Sequence, residues 1–332
     1  MALADELGVF FRYREALVAG LLVSIAVALS SAPHIIRRLK VAGIAGGDRH
    51  KLQPTQVAEM GGLIVFLAFN VGAFFVMAFG SPRFDGPTVF ASLIVITGAT
   101  IAGILDDLIS LRQALKALIS FAFAIPLALF VNDYHLFLPF LGHINLGLAY
   151  PLLLVPLAVA SAANSFNMLE GFNGIASSLG LINALFLSIL AGLSGNITGL
   201  VILVPLAGAL IGFRVYNHYP AKVFPGDTGT LLIGAALACG AILSKLEIWA
   251  GLLLIPHIVE FIIKAKGHFK VQSFAERVDE NGGLHYTSKV RSIPHLVMRA
   301  RPGITEYNLV RVLMTGQIVL GILVIGLYKV ST

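Results

Sequence analysis

Charged residues are scarce in this chain. Only 12% of its 332 residues are Asp, Glu, Lys or Arg, against 57% apolar ones. A water-facing protein of this length needs roughly a quarter of its residues charged, so much of the outer surface faces lipid. A mean hydropathy of +0.89 agrees. The deficit excludes a soluble enzyme, a nucleic-acid binder and a disordered chain. Cysteine is nearly absent as well. The lone Cys239 lies in an apolar run, which removes a disulfide framework and a thiolate metal site and leaves a packing role. The basic pI of about 9.5 therefore reflects membrane topology and not an affinity for nucleic acid.

Long apolar runs are what the sequence has in abundance. A helix needs about 20 mostly apolar residues to cross a bilayer. Runs free of Asp, Glu, Lys and Arg cover 16–36, 61–82, 86–105, 117–132, 134–169, 171–213, 228–244, 248–259 and 312–328. The run 171–213 holds two helices, divided at Ser194-Gly195-Asn196. The run 134–169 supplies one helix near 149–163, preceded by a Pro/Gly-broken segment at the interface, and 248–259 continues through Glu260 to Ile263. The first run follows Arg12 and Arg14 and ends near Ser30-Ser31-Ala32. It is too long for the h-region of a signal peptide, about 7–15 residues, and is expected to remain as a span. Ten spanning helices result.

An even number of spans puts both termini on one side. Of the 23 Lys and Arg residues, 18 collect on the other side, leaving Arg12, Arg14, Arg83, Lys245 and Lys329. By the positive-inside rule the termini are external and the basic loops cytoplasmic. Ten of the 17 acidic residues share that cytoplasmic side, Asp48, Glu59, Asp106, Asp107, Glu170 and Asp227 among them. The rule does not require this. An active site would face the cytoplasm.

The cytoplasmic loops differ in what they offer. The first contains Gly47-Asp48-Arg49-His50-Lys51 and Glu59-Met60-Gly61-Gly62. It is either a solvated connector or, by its Gly pair, a site of close backbone approach. In the second, Asp106 and Asp107 end an apolar helix, where two adjacent carboxylates are costly. Such a pair holds a cation or takes a proton, with capping as the structural alternative. Lys116, in the next helix, presents a point charge suited to a phosphate or merely snorkels. The third loop runs from Asn164 to Gly174, with Asn164 and Asn167 on one helix face. Its amide oxygens suit a hard cation, and its Gly171–Gly174 amides suit an anion or a base edge. In the fourth, Pro225-Gly226-Asp227-Thr228-Gly229 makes a tight turn in which Asp227 is either an N-cap or part of a phosphate site. The fifth is the long one. Asn281-Gly282 signals a type I′ hairpin between 269–277 and 284–290, and the stretch from Lys264 to Arg311 carries a net charge of +5. That charge suits a phosphate-bearing substrate or anionic headgroups.

Together these motifs resemble the polyprenyl-phosphate N-acetylhexosamine-1-phosphate transferases of the glycosyltransferase 4 type. The matching segments are Gly103-Ile104-Leu105-Asp106-Asp107, Asn164 to Gly174, and Val223-Phe224-Pro225-Gly226-Asp227-Thr228. Within that family the chain looks most like the dolichyl-phosphate GlcNAc-1-phosphotransferase branch of eukaryotes and archaea. Glu59-Met60-Gly61-Gly62, Asn281-Gly282-Gly283-Leu284 with Tyr286 and Ser288-Lys289, and Glu306-Tyr307-Asn308-Leu309 carry that likeness. The bacterial phospho-MurNAc-pentapeptide translocase has a run of consecutive histidines in its last cytoplasmic loop, and no two histidines are adjacent here.

The resemblance implies an all-α polytopic membrane protein, one transferase domain over 1–332 with about ten transmembrane helices. A small cytoplasmic β-hairpin loop, about 264–307, precedes the last helix. It implies transfer of HexNAc-1-phosphate, foremost GlcNAc-1-phosphate, from a UDP-HexNAc to a polyprenyl or dolichyl phosphate, with release of UMP. Mg²⁺, or Mn²⁺ in its place, would sit at Asn167 and Asp227 with Lys116 on the pyrophosphate. Asp106 and Asp107 would serve the acceptor phosphate and the metal surroundings, and Glu59, Asn164, Gly171 and Asn173 the nucleotide. The eukaryotic Arg-His-Arg-Ile-Pro clamp is replaced by His268-Phe269-Lys270-Val271-Gln272-Ser273, and Arg291-Ser292-Ile293-Pro294-His295 follows the hairpin. The clamp candidates are thus His268, Lys270, Arg291 and His295. The partners are membrane lipid and the two substrates, a homodimer is allowed, and the location is the plasma membrane of an archaeal cell. A bacterial-type phospho-MurNAc-pentapeptide or undecaprenyl-phosphate GlcNAc-1-phosphate transferase is the nearest alternative. An ion-coupled transporter is the rival from another class, with Glu260 as its deepest carboxylate. Carboxylates gathered at one boundary argue against it.

Overall fold

The computed structural model describes residues 2–51, 55–80, 84–269 and 272–331. Among these, nine helical segments are long and apolar enough to cross a membrane, and one bent helix pair makes a tenth. The spanning helices are α1 (Ala2–Val41), α2 (Gly62–Phe79), α3 (Gly86–Ile109), α4 (Gln113–Phe130), α5 (Val155–Met168), α6 (Ile175–Ser194), α7 (Leu200–Asn217), α8 (Gly226–Leu243), the pair α9 (Glu247–Leu253) and α10 (Ile255–Lys266), and α12 (Glu306–Ser331). A shorter helix, α11 (Ile293–Ala300), lies between the last two spans.

Helix α8 is the axis of the bundle. Its sequence is apolar on every side and rich in Gly and Ala, the pattern of a helix with no solvent or lipid face. It is almost wholly buried, packed by α3, α5, α2, α7 and α6. Gly234 sits so close to the backbone of Ala162 and Ala163 on α5 that no side chain fits between them. The rim is different. Helices α1, α4 and α12 expose Val18, Leu22, Leu118, Leu129, Ile322 and Leu323, a lipid-facing surface.

The single helix expected over 248–263 is broken. α9 and α10 meet at Leu254 with a bend of 67°. Pro256 follows the break; its ring excludes the carbonyl four residues earlier and it has no N–H to donate, so the helix cannot run straight through. The irregular interfacial segment expected before α5 is instead ordered. Strands β3 (His135–Leu138) and β4 (Gly142–Asn145) pair antiparallel with His135 opposite Asn145, and a π-helical turn at Tyr150–Leu154 leads into α5.

At the opposite end, the first loop forms β1 (Ala45–Gly47) and β2 (Gln56–Ala58), paired antiparallel. β2 is then stitched to the loop before α8: the Phe224 N–H donates to the Ala58 carbonyl and the Gly61 N–H to the Phe224 carbonyl, both at 2.8 Å. The long fifth loop folds as a cap with strands β5 (Arg277–Val278), β6 (Gly283–His285) and β7 (Ile304–Thr305) in that order, plus α11. The hairpin is present, but its turn is not type I′. Only Gly282 has a positive φ, +77°, whereas type I′ needs Asn281 there too. The Asp279 carboxylate explains this by accepting from the Asn281 and Gly283 N–H groups at 3.0 and 2.7 Å, which holds a wider loop.

Glu260 fastens this cap to α10. Wholly buried, it accepts from the Ser292 hydroxyl and the Ile293 N–H, each at 2.7 Å, and from the Ser273 hydroxyl at 3.2 Å. These hydrogen-bond donors are all cap residues, and Lys264 of its own helix pairs with it at 3.6 Å. The carboxylate that a transporter reading would place on an ion path is a clasp.

Candidate active site

Gly103 lets the second and fourth loops meet. A Cβ there would overlap the backbone of Asp227 and Thr228, so α3 and α8 touch backbone to backbone. Asp107, four residues on and on the same face, reaches over the start of α8. Its Oδ1 accepts from the Asp227 N–H at 2.8 Å, and its Oδ2 from the Thr228 N–H at 2.9 Å and hydroxyl at 2.6 Å. The first amides of a helix have no partner within it. Asp107 therefore caps α8 from another helix, and the Asp227 side chain is free of that task.

Asp227 turns to the third loop and to α4. Its Oδ2 accepts from Lys116 Nζ at 2.6 Å, and its Oδ1 from Asn167 Nδ2. Asn167 Nδ2 also donates to the Thr230 hydroxyl at 2.8 Å, while its Oδ1 faces Lys116 Nζ at 3.4 Å. Lys116, only 1% exposed, is ion-paired with Asp106 too, whose Oδ1 accepts from the Leu111 N–H at 2.6 Å. Four residues singled out in sequence, Asp106, Lys116, Asn167 and Asp227, thus form one network drawn from three loops.

Two cavities meet at this network. One, of about 590 Å³, is walled by Asp106, Lys116, Asn167 and Asp227, with Glu59 and Lys264 at its edge. The other, of about 300 Å³, lies between Asp48-Arg49-His50 and Gly171-Phe172-Asn173, with Phe224 and Phe274 as aromatic walls. Glu59, Asp107, Asp227 and Gln272 border both. Carboxylates crowd the junction. Desolvation, then the Asp107 charge, pushes Glu59 above the usual carboxylate range. Glu170 is pushed up to about 8, by burial first and then by Asp107 and Glu59. Lys116 and Lys264 relieve Glu170 only in part; Lys264 Nζ also donates to the Met168 carbonyl at 2.5 Å and pairs with Glu260. Negative charge is in excess. Hard oxygen donors at Asn167 and Asp227, in a site already holding an ammonium, fit a divalent cation such as Mg²⁺.

Asn173 belongs to the smaller cavity but is tightly held. Its N–H and Nδ2 donate to Glu306 Oε1 at 2.6 and 2.7 Å, and its Oδ1 accepts from the Ala221 N–H at 2.7 Å. His50 stacks on Phe172 with ring centroids 4.5 Å apart, and its Nε2 accepts from the Ala275 N–H at 3.3 Å. That acceptor role leaves Nδ1 to carry the proton, 3.7 Å from Glu306 Oε1. Asp48, His50 and Glu306 place potential ligand atoms within 4.8 Å of one another. Asp48 is already paired with Lys51 at 3.1 Å and approached by Asn173 Nδ2 at 3.3 Å, so the cluster has internal work.

Other candidates lie elsewhere. Asn164 borders neither cavity and donates to the Ala160 carbonyl of its own helix at 2.8 Å. His268 is exposed in a turn with φ +53°, and Arg291 is exposed away from both cavities. His295 is fully buried under Tyr286, ring centroids 3.6 Å apart. Its Nε2 donates to the Phe274 carbonyl at 3.2 Å and its Nδ1 accepts from the Arg291 N–H at 3.4 Å. Burial holds its pKa below the usual histidine value, consistent with that neutral tautomer. Lys270 lies outside the described residues. Glu170, Phe224, Phe274 and Glu306 join the site without having been candidates. Glu170 could have been found in its Asn- and Gly-rich loop, whereas Phe274 carries no local signal.

Comparison with known proteins agrees with this geometry. The pattern of "Glycosyl transferase family 4" matches residues 89–245, which include the Asp106–Asp227 network. A Sulfolobus acidocaldarius protein, provisionally named a UDP-N-acetylglucosamine--dolichyl-phosphate N-acetylglucosaminephosphotransferase, is 34% identical over 325 residues, covering 95% of this chain and 97% of its own. A Saccharolobus solfataricus protein with the same provisional name is 32% identical over 292 residues, 86% of this chain and 88% of its own. A phospho-N-acetylmuramoyl-pentapeptide-transferase of Clostridium botulinum is 33% identical over 218 residues, 61% of this chain and 64% of its own. The chain is an integral membrane protein that belongs to glycosyl transferase family 4, the polyprenyl-phosphate N-acetylhexosamine-1-phosphate transferases.

Proposed function

We propose that the protein transfers GlcNAc-1-phosphate from UDP-GlcNAc to a dolichyl-type polyprenyl phosphate at the cytoplasmic face, releasing UMP. The observation that carries the proposal is the junction of two cavities. A nucleoside-sized pocket with aromatic walls opens onto a polar chamber built around Lys116. The names of the two archaeal relatives support the substrate pair. An acceptor phosphate oxygen attacks the β-phosphorus, its bond to the bridging oxygen breaks, and that oxygen leaves on UMP with the electron pair.

Such a transfer needs positioning and charge neutralisation more than covalent help. Lys116 faces the chamber and carries a fixed positive charge to the transferring phosphoryl group. Asp106 and Asp107 act by position: one orients Lys116, the other fixes the start of α8. A phosphate is largely ionised at neutral pH, so the acceptor needs no strong base. Asn167 and Asp227 would hold Mg²⁺, which neutralises charge on the diphosphate and the leaving UMP. Gly171 presents backbone to the base beside Asn173, which is held by Glu306 and Ala221, and Glu59 lies where the cavities join. An apolar groove of about 150 Å³ beside the α9–α10 break, lined by Ala158, Ala162, Ala238, Leu254 and Ile258, suits an isoprenoid tail. The homodimer that the sequence allows has no supporting contact and forms no part of the proposal.

The test is an assay of purified protein in lipid nanodiscs with Mg²⁺, UDP-GlcNAc and a polyprenyl phosphate, following UMP. Lipid-dependent UMP release is expected. Absence of UMP with every UDP-HexNAc, from protein of native thermal stability, would refute the reading. Turnover with UDP-GalNAc in place of UDP-GlcNAc would keep the reaction and change the sugar.

A further inference from the structure

Among the described residues, the smaller cavity receives a cation from the first loop. In the strap before the hairpin (268–273), Gln272 borders this cavity and is neutral, His268 lies away from it, and the Ser273 hydroxyl donates to Glu260 at 3.2 Å. The smaller cavity nonetheless needs positive charge. Acidic side chains crowd its wall even with Glu170 protonated, and a diphosphate would bring further negative charge. Among the described residues, Arg49 is the one Lys or Arg on its wall.

The local structure aims Arg49 into the opening. Asp48 and His50, its neighbours, are both buried and bonded inward, while Arg49 is exposed between them. Its Nη1 donates to Gln272 Oε1 at 3.1 Å, and its guanidinium carbon lies 4.8 Å over the Phe274 ring. Phe274 in turn stands over Gly171, where a Cβ would come within 3.2 Å of the ring. The guanidinium thus bridges the first loop and the strap across the cavity mouth. One bond to Gln272 leaves four N–H donors in a planar fork that matches phosphate oxygens.

We infer that Arg49 binds the diphosphate of the sugar nucleotide, held in place by Gln272 and Phe274. The inference rests on the proposed transferase reading. It makes the first cytoplasmic loop a substrate-binding element in this chain.

The experiment measures binding of uridine, UMP and UDP-GlcNAc, and the KM for each substrate, in the wild-type protein, Arg49→Ala, Arg49→Lys and Gln272→Ala. Arg49→Ala should weaken UDP-GlcNAc at least about tenfold, leave uridine and the acceptor KM unchanged, and be partly rescued by Arg49→Lys. Gln272→Ala should lose less than Arg49→Ala. Unchanged UDP-GlcNAc binding in Arg49→Ala would overturn the inference. Equal losses for uridine and UDP-GlcNAc would overturn it too, as would a Gln272→Ala loss matching that of Arg49→Ala. A wild-type protein that binds no uridine nucleotide would refute the transferase reading itself. Wild-type turnover with an indifferent Arg49 would remove only this inference.

Discussion

Each end of the bundle holds a lysine–aspartate pair, and the two are built differently. At the capped end, the Lys116 side chain is 2% exposed and the Asp227 side chain 26%, and Asp106 closes the pair into a triad. At the far end, Lys245 pairs with Asp133, the two side chains 41% and 42% exposed, with His135 alongside. Lys245 first and His135 second hold the Asp133 carboxyl below the usual range. Water can replace either partner there, so the pair contributes below about 1 kcal/mol. Lys116 has no such alternative. Its charge is confined among carboxylates that outnumber it, and an incoming phosphate can compete for it. The same two functional groups make a surface contact at one end and a reactive arrangement at the other.

Mutations should separate the two ends. Asp227→Ala removes a proposed cation ligand and a partner of Lys116, and UMP release should fall on the order of 10³-fold or more. Lys116→Met leaves Asp106 and Asp227 facing each other. We expect a loss of about 10²-fold in kcat and, from the broken buried pair, about 3 kcal/mol of stability, read by thermal unfolding in nanodiscs. If either variant kept near-wild-type turnover, the capped end would be no more reactive than the far one.

The pH dependence is a smaller effect. Glu170 has a folded value of about 8 against an ordinary 4.5, so the fold binds its proton more tightly than the unfolded chain does. Its contribution to stability is therefore greatest below about 4.5 and is lost as the pH rises through 8. Above that value a new negative charge faces the nucleotide. The KM for UDP-GlcNAc should rise about threefold between pH 7 and 9, and Glu170→Gln should flatten the profile. The smallest effect belongs to the far end. Asp133→Ala and Lys245→Ala should change UMP release less than about twofold and stability by less than about 1 kcal/mol.

Much of this was legible in sequence because a membrane makes apolar runs and charge placement unusually informative. Asp106, Lys116, Asn167 and Asp227 stood out as polar residues at helix ends, and the fold brings them together. The broken span was signalled by Pro256, whose effect a count of apolar residues passes over. Other features were invisible for a tertiary reason. His295 sits in a basic run that resembles a clamp, yet Tyr286 stacks on it and the Phe274 carbonyl accepts from it; the hairpin that brings those two residues together folds back over α11. Asn164 shares a helix face with Asn167 but lies one turn deeper, where it meets its own helix in place of the cavity. The cap that Asp107 places on α8 was equally invisible, because the helix whose amides it caps begins 119 residues later.

The depth of α8 within the bundle has a consequence for the membrane around it. A span bordered by lipid must tilt or strain when the bilayer is thinner or thicker than its apolar length, an effect known as hydrophobic mismatch. Helices α1, α4 and α12 meet that mismatch directly, whereas α8 has almost no lipid contact. The helix that carries Asp227 in its first turn is insulated from it by the surrounding protein. Bilayer composition then acts on this molecule from its perimeter inward, through how a lipid substrate approaches and not through the spacing of the groups that wait for it.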